Sequence, residues 1–167
     1  MTLIKDGYFD LDELKILPGV PSDERLKQGP VVVIECAQEI PCDPCEDACV
    51  KGAIEIGDSI INLPKLKAEL CHGCGLCIAA CPGQAIFVVD MTYSPTEATV
   101  QLPFEFLPFP KEGDIVDGIN RAGKKVCDAK VLKVLLPKAF DRTAVIKIAV
   151  PKEFGMEVRN IKLKIKN

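Results

Sequence analysis

Cys71-His72-Gly73-Cys74-Gly75-Leu76-Cys77-Ile78-Ala79-Ala80-Cys81-Pro82 spaces four cysteines by two, two and three residues and ends on a proline. Three thiolates set two residues apart can converge on corners of one cubane iron-sulfur cluster while the backbone curls around it. The fourth, three residues further on, points elsewhere, so the run calls for a second set of cysteines in the same chain.

That set lies upstream, in Cys36, Cys42, Cys45 and Cys49. A shift of 32 residues lays Cys42, Cys45 and Cys49 onto Cys74, Cys77 and Cys81, and Ala53-Ile54 onto Ala85-Ile86. Thiols and following apolar residues in step read as one half-module used twice. The copies differ at one point, because Glu39 stands where the shift calls for the partner of Cys71, and the nearest upstream thiol is Cys36.

On these motifs, residues 31–92 resemble a bacterial dicluster ferredoxin. The resemblance implies two [4Fe-4S] clusters. It assigns Cys71, Cys74, Cys77 and Cys49 to one, and Cys42, Cys45, Cys81 and Cys36 to the other, each half lending its last thiol across. Cys36 would reach its cluster through a longer loop. A three-cysteine site, or an oxygen ligand such as Asp43, stands as the alternative.

Zinc also uses paired C-x2-C motifs, but there two pairs serve one ion, whereas triplets with a displaced fourth cysteine and a proline match cubane ligation. The chain opens Met-Thr-Leu-Ile-Lys-Asp, without an apolar core of signal-peptide length, which favours reduced thiols in a cytoplasm over disulfides.

Composition fits a compact chain: 167 residues, 48% hydrophobic, 27% charged, net charge −3. No apolar run is long enough to cross a bilayer. Lys plus Arg at 21 against Asp plus Glu at 24 argues against nucleic-acid binding. A cluster module this short draws part of its stability from metal or from a partner.

The expected fold class is α+β, a dicluster ferredoxin-like module followed by a small antiparallel β-domain, open or barrel-like. Residues 1–30, broken by Pro18-Gly19, Pro21 and Gly29-Pro30, read as an arm, with a short helix starting near Asp10. Val31–Ile34 and Phe87–Val89 read as strands that pair and close the module. Ile54–Ile56 and Ile60-Ile61, flanking Gly57-Asp58-Ser59, read as a hairpin, and Pro44–Ala48 and Gly75–Ala80 as short helices. Residues 93–110 form a proline- and phenylalanine-rich linker that packs on its own domain or docks on another chain. Residues 111–167 alternate as strands, notably Val126–Leu136, Thr143–Val150 and Ile161–Ile165. Lys124, Lys125, Lys130 and Lys133 form a positive edge or an ordinary solvated face, and Cys127 reads as a small core residue. His72, the only histidine, reads as a loop residue, since thiols complete the ligand count.

There is no dinucleotide fingerprint, phosphate loop, zincin motif or nucleophile triad, so the chain is expected to carry no bond-making catalysis of its own. Clusters move single electrons, whereas metabolites are oxidised at flavin or nicotinamide, which places FAD or FMN on a partner subunit. The layout also resembles small iron-sulfur subunits of anaerobic FAD-dependent dehydrogenase complexes. That resemblance implies an electron-transfer subunit between a flavoprotein dehydrogenase and an acceptor. The alternatives are a freestanding ferredoxin-type shuttle and a structural or sensing iron-sulfur or zinc protein.

Overall fold

The computed structural model describes residues 2–164. Strands β1 (Val31–Ile34) and β4 (Ile86–Asp90) pair antiparallel, Val31 with Val89 and Ile34 with Ile86. This is the closure that the β-branched runs predict. Between them lie helices α4 (Pro44–Asp47) and α5 (Leu76–Ala80) and the two-residue strands β2 (Ile54–Glu55) and β3 (Lys65–Leu66).

The hairpin differs from its sequence reading. β2 pairs with β3, Ile54 opposite Leu66, and Ile60-Ile61 belong to the connection. The Ile60 carbonyl accepts from Cys42 N–H, so the loop is tied to the first cysteine run, and the Ile60 side chain is 49% exposed.

β5 (Glu97–Phe104), β6 (Ile115–Asn120), β7 (Lys125–Leu135), β8 (Ala144–Pro151) and β9 (Val158–Lys162) do not form a sheet of their own. They continue the β1–β4 ribbon into one seven-stranded sheet, in the order β1-β4-β5-β8-β7-β6-β9. Every pairing is antiparallel. The sheet is open, with β1 and β9 at opposite ends, and no pairing closes a barrel among the described residues. Ile165, the end of the last alternating run, lies outside them.

β5 and β8 are buried on both faces because a core fills each side. One face holds Val100, Leu102, Ile146 and Ile148 with Val116, Val131 and Val158. The other carries the cysteine segment, where Val145 packs with Ile34, Ile78 and Ile86. Each such side chain contributes about 1.5–3 kcal/mol relative to exposure. Residues 97–104 of the proline-rich stretch are thus a central strand. Pro103 is tolerated there because β4 pairs only with Thr99–Gln101, leaving β5 a single neighbour beyond Gln101. Phe104 stacks edge-on to Phe106, which is 63% exposed.

The arm is packed rather than loose. It holds α1 (Thr2–Asp6), α2 (Leu11–Leu14) and α3 (Asp23–Leu26); Asp10 caps α2 by accepting from Glu13 N–H, and Ser22 caps α3 through Arg25 N–H. Leu14, Leu17 and Leu26 are buried. The arm covers the free edge of β1, where Ile34 N–H donates to the Gly19 carbonyl. A Cβ at Gly19 would stand 2.6 Å from Ile34 Cβ, so only glycine allows that approach.

Candidate metal centre

The period of two along the β1–β4 ribbon sorts its side chains. Val32 and Val88, paired across the ribbon, lie under one cavity, and Ile34 and Ile86, the pair two residues on, lie under a second. Two residues of strand rise about 7 Å, so the cavities sit side by side. Ile54 lines the first and Ile56 the second.

Four thiols ring each cavity. Cys49, Cys71, Cys74 and Cys77 line the first, and Cys36, Cys42, Cys45 and Cys81 the second, with Pro82 beside Cys81. Each ring thus takes one cysteine from the other run. Cys36 occupies the fourth position of its ring, while Asp43 stands at the start of α4. Among the described residues no three His, Cys, Asp or Glu side chains converge as a single-ion site. Thiols spread around a cavity suit a polynuclear cluster, and here the donor set fits one.

Backbone geometry repeats between the halves. Ala53 N–H donates to Cys49 Sγ at 3.2 Å, and Ala85 N–H, 32 residues on, donates to Cys81 Sγ at 3.5 Å. Val32 N–H donates to Cys71 Sγ at 3.4 Å. Such bonds fix the orientation of the sulfurs and would tune a bound metal. Gly73 has φ +72°, and a Cβ there would fall 2.7 Å from Pro30 Cβ, so this loop turn accepts no larger residue without moving.

Three of the ring thiols, Cys42, Cys45 and Cys77, are costly to ionise without metal. Burial pushes the Cys77 thiol up to about 12, with Cys71, Cys74 and Cys49 adding repulsion. Burial likewise lifts Cys45 to about 11, with Cys81 and Cys42 adding to it, and raises Cys42. Metal loading would therefore release protons from these thiols.

Several supporting residues carry no signature in the sequence. Arg25 of α3 donates to the carbonyls of Ala68, Gly29, Pro30 and Cys71, fastening the Cys71 loop to the arm. Gln101 of β5 donates to the Gly73 carbonyl at 3.4 Å. Next to Cys36, Glu35 is buried between two guanidinium groups. Arg121 forms a fork with it at 2.8 and 2.6 Å, and Arg159 Nε donates at 2.6 Å. Arg159 also donates to the Gly155 and Val158 carbonyls and lies 4.9 Å from the centroid of Phe87. Burial opposes the charge on Glu35, but Arg159 and Arg121 outweigh it and hold the carboxyl below its ordinary range. The triad ties the β6–β7 turn and β9 to the residue preceding the cysteine ring.

His72 is exposed on the rim of the first cavity. Cys127 stands apart from both rings, half-buried on β7 against Gly118. Burial lifts its thiol to about 11, the behaviour of a packing residue.

Comparison with known proteins points to iron-sulfur proteins. The 4Fe-4S binding domain family matches residues 64–87. An uncharacterized ferredoxin of Methanocaldococcus jannaschii is 39% identical over 67 residues, covering 40% of this chain and 38% of that protein. Ferredoxin-type protein NapF of Escherichia coli K12 is 39% identical over 51 residues, covering 29% of this chain and 31% of NapF. A longer match, 29% identical over 132 residues, covers 71% of this chain and 19% of ABC transporter E family member 1 of Arabidopsis thaliana. The chain thus spans about a third of the length of the two ferredoxin-type relatives. No solved structure matches. The chain carries a 4Fe-4S binding domain, and ferredoxin-type electron transfer is the function class these findings support. No helix among the described residues is long and apolar enough to cross a membrane.

Proposed function

We propose that the chain is an iron-sulfur electron-transfer subunit holding two [4Fe-4S] clusters and relaying single electrons between a partner flavoprotein dehydrogenase and an acceptor. The observation that carries this reading is the pair of adjacent four-thiol rings, each completed by the other run's last cysteine. Cys49, Cys71, Cys74 and Cys77 hold one cluster, and Cys36, Cys42, Cys45 and Cys81 the other. Bound there, a cluster supplies one-electron chemistry and no bond-making step.

The protein's own residues do the rest. The paired valines and isoleucines of β1 and β4 exclude water from the inner side of both rings. Ala53, Ala85 and Val32 N–H groups donate to the sulfurs of Cys49, Cys81 and Cys71 and orient them. Arg25 and Gln101 hold the loop that carries Cys71 and Cys74. The arm helices between Thr2 and Leu26, the segment 93–110 and strands β6 to β9 go beyond what a cluster carrier needs, which favours a resident subunit with docking surface over a free shuttle. A cytoplasmic setting suits unpaired thiols.

Anaerobic purification from the native source at native expression level tests the partner. The reading predicts a co-eluting subunit with bound FAD or FMN, whose substrate bleaches the visible absorbance of this chain's clusters within one turnover. A monomer that exchanges electrons equally fast with unrelated reductases would favour the freestanding shuttle.

A further inference from the structure

The lysine edge noted in the sequence becomes a defined surface in the fold. Lys125 leaves it, because its ammonium pairs with Asp117 and Asp128 at 2.8 Å. Lys130 and Lys133 stay and are joined by Lys147 of β8. Register gives one cross-strand row: Val88 pairs with Gln101, Gln101 with Lys147, and Lys147 with Lys133. Directly opposed residues share a face, so both lysines lie on the side of the sheet that Val88 presents to the Cys49–Cys71–Cys74–Cys77 ring. Lys130, opposite Ala149 and in phase with this row, adds a third charge.

Gln101 links the row to the metal loop. Its side chain donates to the Gly73 carbonyl, and a Cβ at Gly75 would stand 3.0 Å from its Oε1. Strands are spaced by about 4.8 Å, so the Lys147 and Lys133 backbones lie about 5 and 10 Å from Gln101. Between Gly73 and Gly75, Cys74 is the one exposed ring cysteine, and Leu76 beside it is 39% exposed. The ring therefore comes to the surface at the end of the lysine row.

Two lysines directly opposed across strands repel. Among the described residues none of Lys130, Lys133 and Lys147 has a carboxylate within ion-pair distance, whereas Lys125 and Lys164 each pair with both Asp117 and Asp128. These three lysines stand beside the exposed edge without a carboxylate in ion-pair contact, and Lys133 and Lys147 oppose one another directly. A partner's negative charge would relieve that repulsion.

We infer that this face, with the Cys74–Leu76 edge at its centre and Lys130, Lys133 and Lys147 along its side, docks a small acidic electron carrier whose cofactor is ringed by carboxylates. The inference rests on the reading that Cys49, Cys71, Cys74 and Cys77 hold a cluster. Within the docked pair one electron leaves the reduced member and enters the oxidised one, with no bond made or broken. The lysines steer the encounter and set orientation, which acts on the association rate and weakens with salt.

The test uses the full chain with its clusters, iron being measured first on every variant. Dithionite-reduced protein is mixed in anaerobic stopped flow with oxidised flavodoxin as the acidic carrier, and with cytochrome c as a basic one. K133E/K147E is expected to slow transfer to flavodoxin by about 10-fold or more at low ionic strength, with the gap closing at about 0.5 M salt. Transfer to cytochrome c is not expected to slow. K133Q/K147Q should fall between wild type and the charge reversal, and it gives a reading if the reversal folds poorly. Equal flavodoxin rates in iron-replete wild type and variants would overturn the docking face alone. A salt-sensitive dimer of this chain, lost in the same variants, would overturn it in favour of a second copy. A wild-type chain lacking iron at the Cys74 ring would overturn the cluster reading and this inference with it.

Discussion

Cys49→Ser is expected to destroy the cluster of the downstream run, although Cys49 belongs to the upstream one. Iron and acid-labile sulfide should fall from about eight to about four per chain, or the damaged site should convert to a three-iron form with its own spectroscopic signature. The site of Cys36, Cys42, Cys45 and Cys81 should keep its signal. Cys49 shares its ring with Cys71, Cys74 and Cys77, and Ala53 N–H donates to its sulfur. Serine keeps the volume but offers a poorer, far more weakly acidic donor to iron. The reciprocal change, Cys81→Ser, should damage the Cys42 and Cys45 site instead. Electron paramagnetic resonance of both reduced variants separates the two sites, and Cys49→Ser damage confined to the upstream site would refute the exchange of thiols.

Glu35→Ala is expected to destabilise the fold by about 3–5 kcal/mol, because it leaves Arg121 and Arg159 buried against each other without a counter-charge. Arg159 is buried, and burial already pulls it below its ordinary value against the opposing pull of Glu35. Removing all three charges together, as in E35M/R121L/R159M, should cost far less than the single change, since the desolvation of each ion disappears with it. Anaerobic guanidinium unfolding followed by far-UV circular dichroism measures both. The folded carboxyl of Glu35 lies below its unfolded value near 4.5. Its contribution is thus fully present above that value and is lost as pH falls through the folded one. The wild type should weaken with acid more steeply than the triple variant. A Glu35→Ala cost under about 1 kcal/mol would contradict this account of the triad.

What the sequence discloses follows from the range of its signals. The cysteine runs, the β1–β4 pairing, α4 and α5 are written in local spacing and β-branched runs, and these elements surround the rings. β3 is hidden because Lys65-Leu66 is two residues long, while the neighbouring Ile60-Ile61 is more β-prone but sits in a loop tied to Cys42. The union of the C-terminal strands with the β1–β4 ribbon has no local marker, since alternation reports a strand but not its neighbour. Glu35 finds Arg121 and Arg159 across 86 and 124 positions. One signal was available: the chain has four arginines among its 21 basic residues, and three of them, Arg25, Arg121 and Arg159, make forked or multiple buried bonds. In a lysine-rich chain, arginine marks positions where a planar fork is required.

On the proposed reading, two adjacent thiol rings each hold a cubane cluster. Iron and acid-labile sulfide, determined on the anaerobically purified full chain together with its Mössbauer spectrum, test it most directly. About eight of each per chain are expected, all in cubane form. About four of each, or stoichiometric zinc, would contradict it.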